Sequence, residues 1–171
     1  MSDNRIVLKT IIQSTTVELF QAYALAVAPV AAEVGTPKLD NYVGGAGGIY
    51  GPGLNATLSL LVPKDVYSII KVEGVRLYNV LDWTRELTNQ LMGRVKNRLT
   101  KYQPNIRTDL PSAAEGKGLE IRQAKMKPFL TVSFRTIRGE IWVVLAGAID
   151  YTKLAYSGAR STAGEGELIL F

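Results

Sequence analysis

Asp82-Trp-Thr-Arg-Glu86-Leu-Thr-Asn89-Gln-Leu-Met-Gly93-Arg-Val-Lys-Asn-Arg-Leu99 is the stretch from which the rest of the chain can be read. At about 100° per residue, Asp82, Glu86, Asn89 and Gly93 fall within an arc of about 60° on a helix. Leu87, Leu91, Val95 and Leu99 repeat every fourth residue on the opposite side, the register of a core-facing stripe. Such a helix buries one side and shows water a carboxylate and a carboxamide one turn apart, with a glycine beyond. A glycine within a helix costs about 1 kcal/mol relative to alanine. Room for close approach is the usual compensation, so this face is suited to being pressed against a partner.

Outward from this helix, the chain divides into periodic segments. Residues 4 to 28 read as a helix through Ile6, Ile11, Ile12, Leu19, Phe20 and Tyr23, ended by Pro29 or by Gly35-Thr-Pro37. The glycine-rich run Gly44 to Gly53 passes into Asn55-Ala-Thr-Leu-Ser-Leu-Leu-Val62, and together they read as a hairpin turning at Gly51-Pro52-Gly53. Pro63-Lys64-Asp65 opens a short helix to about Val72. The motif helix starts at Val80 or Asp82 and ends near Tyr102, before Pro104. A loop carrying Pro104 and Pro111 leads to Leu119-Glu-Ile-Arg-Gln-Ala, and then to strands Phe129–Ile137 and Glu140–Ile149 joined at Arg138-Gly139. The last twenty or so residues form a loop and a short strand, Leu168–Phe171. The expected fold is therefore of the α+β type. Long helices lie on a largely antiparallel sheet, and each half of the chain offers a long helix followed by a strand pair.

Composition narrows the chemistry. The 171 residues suit one domain, taken as 1–150 with a C-terminal extension at 151–171. With no cysteine and no histidine, thiolate nucleophiles, disulfides, zinc–thiolate sites and imidazole bases are all excluded. Chemistry must run on carboxylates, amides, hydroxyls, lysines and arginines, or on groups that a partner supplies. The net charge of +5 is scattered, with a mild concentration at Arg94, Lys96, Arg98 and Lys101 that reads as a solvated helix face. No nucleic-acid arm follows from it. The amino terminus lacks a signal-peptide pattern, and the apolar stretch Ala22–Ala32 is too short to span a bilayer. A cytoplasmic protein without membrane insertion is expected.

The glycine cluster fails as a phosphate cradle. No Lys-Ser or Lys-Thr follows it, and the third glycine of the dinucleotide pattern is missing. Close approach between neighbouring strands explains it more simply. On spacing alone, Glu86 and Asn89 are better read as solvent-facing helix residues, by about four to one given how often short motifs occur by chance, and Asp82 could be merely an N-cap. Arg85, three residues on, is not the acceptor a capping box needs.

The wider pattern resembles the active-site helix of the CheX-type chemotaxis phosphatases, of the CheC/CheX/FliY group. Their signature, (Asp/Ser)-x3-Glu-x2-Asn, is met by Asp82, Glu86 and Asn89, with Gly93 beyond. The order of Gly47-Gly-Ile-Tyr-Gly51, the motif helix, the loop Asp109–Leu119 and the closing strand pair extends the resemblance over roughly residues 43 to 149. It implies hydrolysis of the phosphoaspartate on a phosphorylated CheY-type response regulator. Asn89 would then hold the attacking water in line, Glu86 would pair with the receiver's lysine, and Asp82 and Gly93 would support them. Mg²⁺ would sit on the receiver, and the chain would need no cofactor of its own. Relatives with two sites carry a second copy on their first helix. The corresponding residues here, Glu18 and Gln21, look like a degenerate site, since glutamine replaces asparagine. The resemblance also implies a homodimer, for which the apolar strand Ile141–Ile149 offers an edge. A non-catalytic receiver-binding module on the same fold is the alternative reading.

Overall fold

The computed structural model describes residues 2–30, 41–70, 79–103, 105–115 and 128–153. It sets two long helices on one face of a seven-stranded sheet. The elements run α1 (Ser2–Gln21), β1 (Ala28–Val30), β2 (Tyr42–Gly51), β3 (Leu54–Pro63), α2 (Lys64–Tyr67), α3 (Val80–Leu99), β4 (Arg107–Thr108), β5 (Ser112–Glu115), β6 (Pro128–Thr136) and β7 (Gly139–Ile149). A 3₁₀ turn at Tyr151–Lys153 follows.

Every described strand pair is antiparallel. The order β1-β6-β7-β3-β2-β4, with β5 also on β2, places β3 and β7 at the centre in the register Leu58↔Leu145. The two halves of the chain interlock. The hairpin β2–β3 is flanked by β4 and β5 from the second half, and the hairpin β6–β7 by β1 from the first. This exchange is the spatial form of the repeated helix-then-hairpin pattern.

Alternation along the strands selects the core face. Leu58 and Leu60 of β3 lie in register with Leu145 and Val143 of β7, and Val62 on β3 with Val132 and Phe134 on β6 continues the layer. Leu87, Leu91, Val95 and Leu99 of α3 and Leu8, Ile12, Leu19 and Phe20 of α1 close it from above. The stripe expected on the motif helix is therefore buried as read. On the other face of the sheet, Leu61 and Trp142 form a smaller cluster with Tyr42, whose hydroxyl donates to the Glu140 carbonyl at 2.8 Å.

Gly45 and Gly47 of β2 make room for helix α3 rather than for a neighbouring strand, which at these two positions corrects the expectation of strand-to-strand approach. A Cβ on Gly45 would run into the Thr88 hydroxyl and stand 3.1 Å from the Thr84 carbonyl, while one on Gly47 would lie 2.6 Å from the Met92 sulfur. Both Thr84 and Thr88 are fully buried. Their hydroxyls are satisfied within α3, Thr88 donating to the Thr84 carbonyl at 2.7 Å and Thr84 to the Val80 carbonyl at 2.8 Å. The Tyr67 hydroxyl meets Thr84 Oγ1 at 2.6 Å, and burial pushes that phenol well above its ordinary range. Strand-to-strand crowding does occur at Gly147 of β7, whose Cβ would meet Ala56 Cα at 2.7 Å.

Several boundaries differ from the sequence reading. Helix α1 stops at Gln21, not near residue 28, because Ala24 takes a left-handed φ of 56°. Leu25 N–H donates to the Phe20 carbonyl and Ala24 N–H to that of Gln21, each at 3.0 Å. This is a Schellman closure, made here without the usual glycine. Ile6 remains 58% exposed, and Leu8 fills the core in its place. The loop after α3 contains β4 and β5, two short strands held on β2. Strand β7 is paired on both sides, so the segment Ile141–Ile149 is interior and offers no edge to a second copy. The 35–37 stop signal, Val72, Pro104, residues 119–124 and residues 154–171 lie outside the described residues.

Replacing Gly45 by alanine is expected to destabilise the fold by about 1–3 kcal/mol, the usual effect of overpacking a closed contact. Urea unfolding measures it. The sign is diagnostic, because alanine replacing a strand glycine with free space around it would stabilise.

Candidate functional site

Helix α3 begins at an Asn79 cap whose side-chain oxygen accepts from Leu81 N–H at 2.8 Å. Asp82 is therefore not the cap. It lies in the first turn, where a carboxylate favours the positive end of the helix dipole, and it takes Arg85 Nη1 at 2.7 Å. That ion pair is a local clasp on the helix surface.

With the glycine-floored side of α3 pressed to β2, its outer side presents Asp82, Glu86 and Asn89, all exposed. Gly93, half-buried, completes this face, and among the described residues nothing lies within 4 Å of where its Cβ would be. The four residues thus share one accessible strip on a helix whose other side is locked. Gly93 is not required by the chain's own packing.

Glu86 is held in place. Its Oε1 accepts from Gln90 Nε2 at 2.7 Å, and Gln90 Oε1 in turn accepts from the Tyr23 hydroxyl at 3.0 Å. Tyr23 stands edge-on to Trp83, with centroids 5.1 Å apart and rings at 84°. Burial, together with the nearby Glu86 charge, raises the Tyr23 phenol above its ordinary range, against the opposing pull of Gln90 and Arg94. Among the described residues the buried Trp83 indole N–H has no acceptor.

The first-helix residues are arranged differently. Gln21 is exposed at the end of α1. Glu18 is taken by Arg98 of α3, whose Nη2 lies 2.6 and 2.7 Å from its two oxygens, while Arg98 Nη1 donates to the Ser14 hydroxyl at 2.9 Å. Glu18 and Glu86 therefore stand in different environments, one in an interhelical ion pair and the other beside a neutral amide. Arg98, read from sequence as part of a solvated face, is instead a fastener between the helices.

From the sequence, Asn79 and Gln90 carried no assignment, Tyr23 read only as a member of the first helix's apolar pattern, and Arg98 only as a solvated basic residue. Gln90 was visible in principle, four residues after Glu86, the spacing at which helical side chains meet. Tyr23 and Arg98 act across 67 and 80 residues of chain, and no local pattern announces such partners. Among the described residues no group of three or more carboxylates could hold a metal ion, and no helix is long and apolar enough to cross a membrane.

Two long helices over an interlocked antiparallel sheet make a fold similar to that of solved CheX and CheC-like chemotaxis proteins. The family model described as chemotaxis phosphatase CheX matches residues 73–135, which include the whole of α3. A CheC-like superfamily protein from Shewanella sp. PV-4 superposes with a TM-score of 0.71 at 19% identity, covering 85% of this chain and 98% of that one. The chemotaxis protein CheX from Vibrio vulnificus gives 0.66 at 16% identity, with 81% and 97% covered. CheX of Borrelia burgdorferi, solved as a CheX–CheY–BeF3–Mg²⁺ complex, gives 0.59 at 13% identity, with 82% and 97% covered. Among curated proteins no sequence match was found.

Two stability measurements check this geometry. Gly93→Ala should raise stability by up to about 1 kcal/mol, since the site is helical and open, read as a higher urea midpoint. Arg98→Ala should lower it by no more than about 1 kcal/mol, because the ion pair is partly solvated. That loss should shrink in 1 M salt when the two proteins are compared by thermal unfolding.

Proposed function

We propose that this chain hydrolyses the aspartyl phosphate of a CheY-type response regulator, with Asn89 and Glu86 as the working residues. The observation that carries the reading is the strip itself. An exposed carboxylate and an exposed carboxamide lie one turn apart on a rigid helix, beside an open glycine, within the segment matched by the CheX family model. The Borrelia protein of the same fold, solved with CheY, BeF3 and Mg²⁺, supports a receiver as the partner.

The chemistry suits these side chains. An acyl phosphate is already activated, so hydrolysis requires chiefly positioning and charge neutralisation. Asn89 would orient a water by hydrogen bonding, in line with the phosphorus–oxygen bond to the receiver's aspartate. Attack forms a new P–O bond, the bond to the carboxyl oxygen breaks, and inorganic phosphate and a free carboxylate remain. No strong base is needed, consistent with a chain that has no histidine. Glu86 would pair with the receiver's lysine and set the register of docking. Gly93 would admit the receiver's backbone, and Asp82, clasped by Arg85, would stabilise the start of the helix. Mg²⁺ would be held by the receiver's own carboxylates. The degenerate site at Glu18 and Gln21 would contribute little, since Arg98 occupies the carboxylate.

The same reading includes a cytoplasmic location and a homodimer. With β7 interior, a dimer would form through an outer strand such as β1 or β5, and light scattering on the eluting protein at micromolar concentration decides it.

The decisive assay is phosphate release from an acetyl-phosphate-loaded receiver in Mg²⁺. Asn89→Ala is expected to lower the catalysed rate about a hundredfold while binding persists, as for a lost positioning group. Glu86→Ala is expected to weaken binding about tenfold or more, as for a truncated interfacial ion pair. Binding by the wild type without faster release would instead identify a receiver-binding module.

A further inference from the structure

We infer that Tyr23 and Gln90 are positioning residues for Glu86, forming a hydrogen-bonded relay that presents its carboxylate to the docking partner. The inference rests on the proposed role of Glu86, but its geometric part stands apart from that role.

The relay has a direction. Tyr23 donates its hydroxyl proton to Gln90 Oε1, which turns the Gln90 NH₂ toward Glu86. A flipped carboxamide would set its oxygen against the carboxylate, so only one orientation satisfies both neighbours. The Tyr23 ring is itself fixed by its edge contact with Trp83, a buried residue of α3. The raised phenol keeps the hydroxyl a donor throughout the neutral range. Glu86 Oε1 is thus engaged, leaving Oε2 and the remaining acceptor capacity for a cation from the partner. An exposed glutamate otherwise samples several rotamers, and ordering it beforehand removes an entropic cost from association.

Tyr23 comes from the turn after α1 and Gln90 from α3. The turn that closes the first helix therefore takes part in the site through a residue that need not touch the partner at all. Neither residue belongs to the motif, and neither is required to reach the phosphoryl group.

The test pairs two readouts on the full-length chain. In the free protein, ¹⁵N relaxation of the Gln90 side-chain amide should show an ordered group, loosened by Tyr23→Phe. An amide equally mobile in both proteins overturns the relay. With a beryllofluoride-loaded CheY-type receiver in Mg²⁺, Tyr23→Phe and Gln90→Leu should each weaken binding about three- to tenfold, the scale of one lost hydrogen bond. In turnover the same variants should raise KM and leave kcat near the wild-type value, whereas Asn89→Ala lowers kcat. Combined with Glu86→Ala, Tyr23→Phe should add nothing further, because no carboxylate remains to be oriented. An equal effect of Tyr23→Phe with and without Glu86 would mark it as a packing residue and overturn the proposal. A receiver that neither binds nor turns over would sink the proposed function, while the relaxation measurement still decides the relay.

Discussion

Everything on the outer side of α3 depends on how closely its inner side meets β2. Two glycines, Gly45 and Gly47, remove the side chains that would otherwise hold the helix off the sheet. Thr88, Thr84 and Met92 settle into the space. The threonine hydroxyls turn back onto their own helix, so the contact buries polar atoms without leaving them unpaired. That seat fixes both the rotation and the height of α3. A rotation by one residue, about 100°, would carry Glu86 and Asn89 away from the accessible strip. The glycine-rich run and the acid–amide motif are thus two ends of one constraint.

The interlocked halves divide labour between similar elements. Each contributes a helix and a central hairpin, and each lends short strands to the other's edge. Helix α3 displays the acid–amide strip, while α1 is mostly support. It packs Leu8, Ile12, Leu19 and Phe20 into the shared core and spends Glu18 on Arg98, and the turn that closes it brings Tyr23 to Gln90. Such asymmetry within a repeated plan lets one helix be specialised while the other holds it rigid.

Legibility from sequence followed the range of the interactions. The stripe of α3, its start near Val80, the β2–β3 turn beside Pro52 and the β6–β7 turn beside Arg138 are local patterns, and all appear close to where they were read. The end of α1 was not legible, because its left-handed residue is an alanine stabilised by tertiary packing of Leu25, and alanine carries no stop signal. Strands β4 and β5 were read as loop because two- and four-residue edges show no periodicity; they exist through pairing with β2. Strand β7 was misread as an edge because apolar alternation shows burial without telling how many neighbours a strand has. The exposed members of the site could be placed from helical geometry alone. The residues that hold them, Tyr23 and Arg98, could not, since each reaches its partner only after the chain has folded.

The Arg98–Glu18 ion pair also bears on how the surface of α1 could change over evolutionary time. Gln21→Asn, a single substitution, would complete the letters of a second motif on that helix. It would not complete its electrostatics, because the glutamate would remain committed to a guanidinium from the neighbouring helix. Losing Arg98 first would loosen the helix pair with no compensating gain. The two steps are therefore conditional on each other: each is neutral or harmful alone, and only the pair alters what α1 can meet. A salt bridge of modest strength can in this way keep one face of a repeated architecture silent through the order in which mutations must arrive.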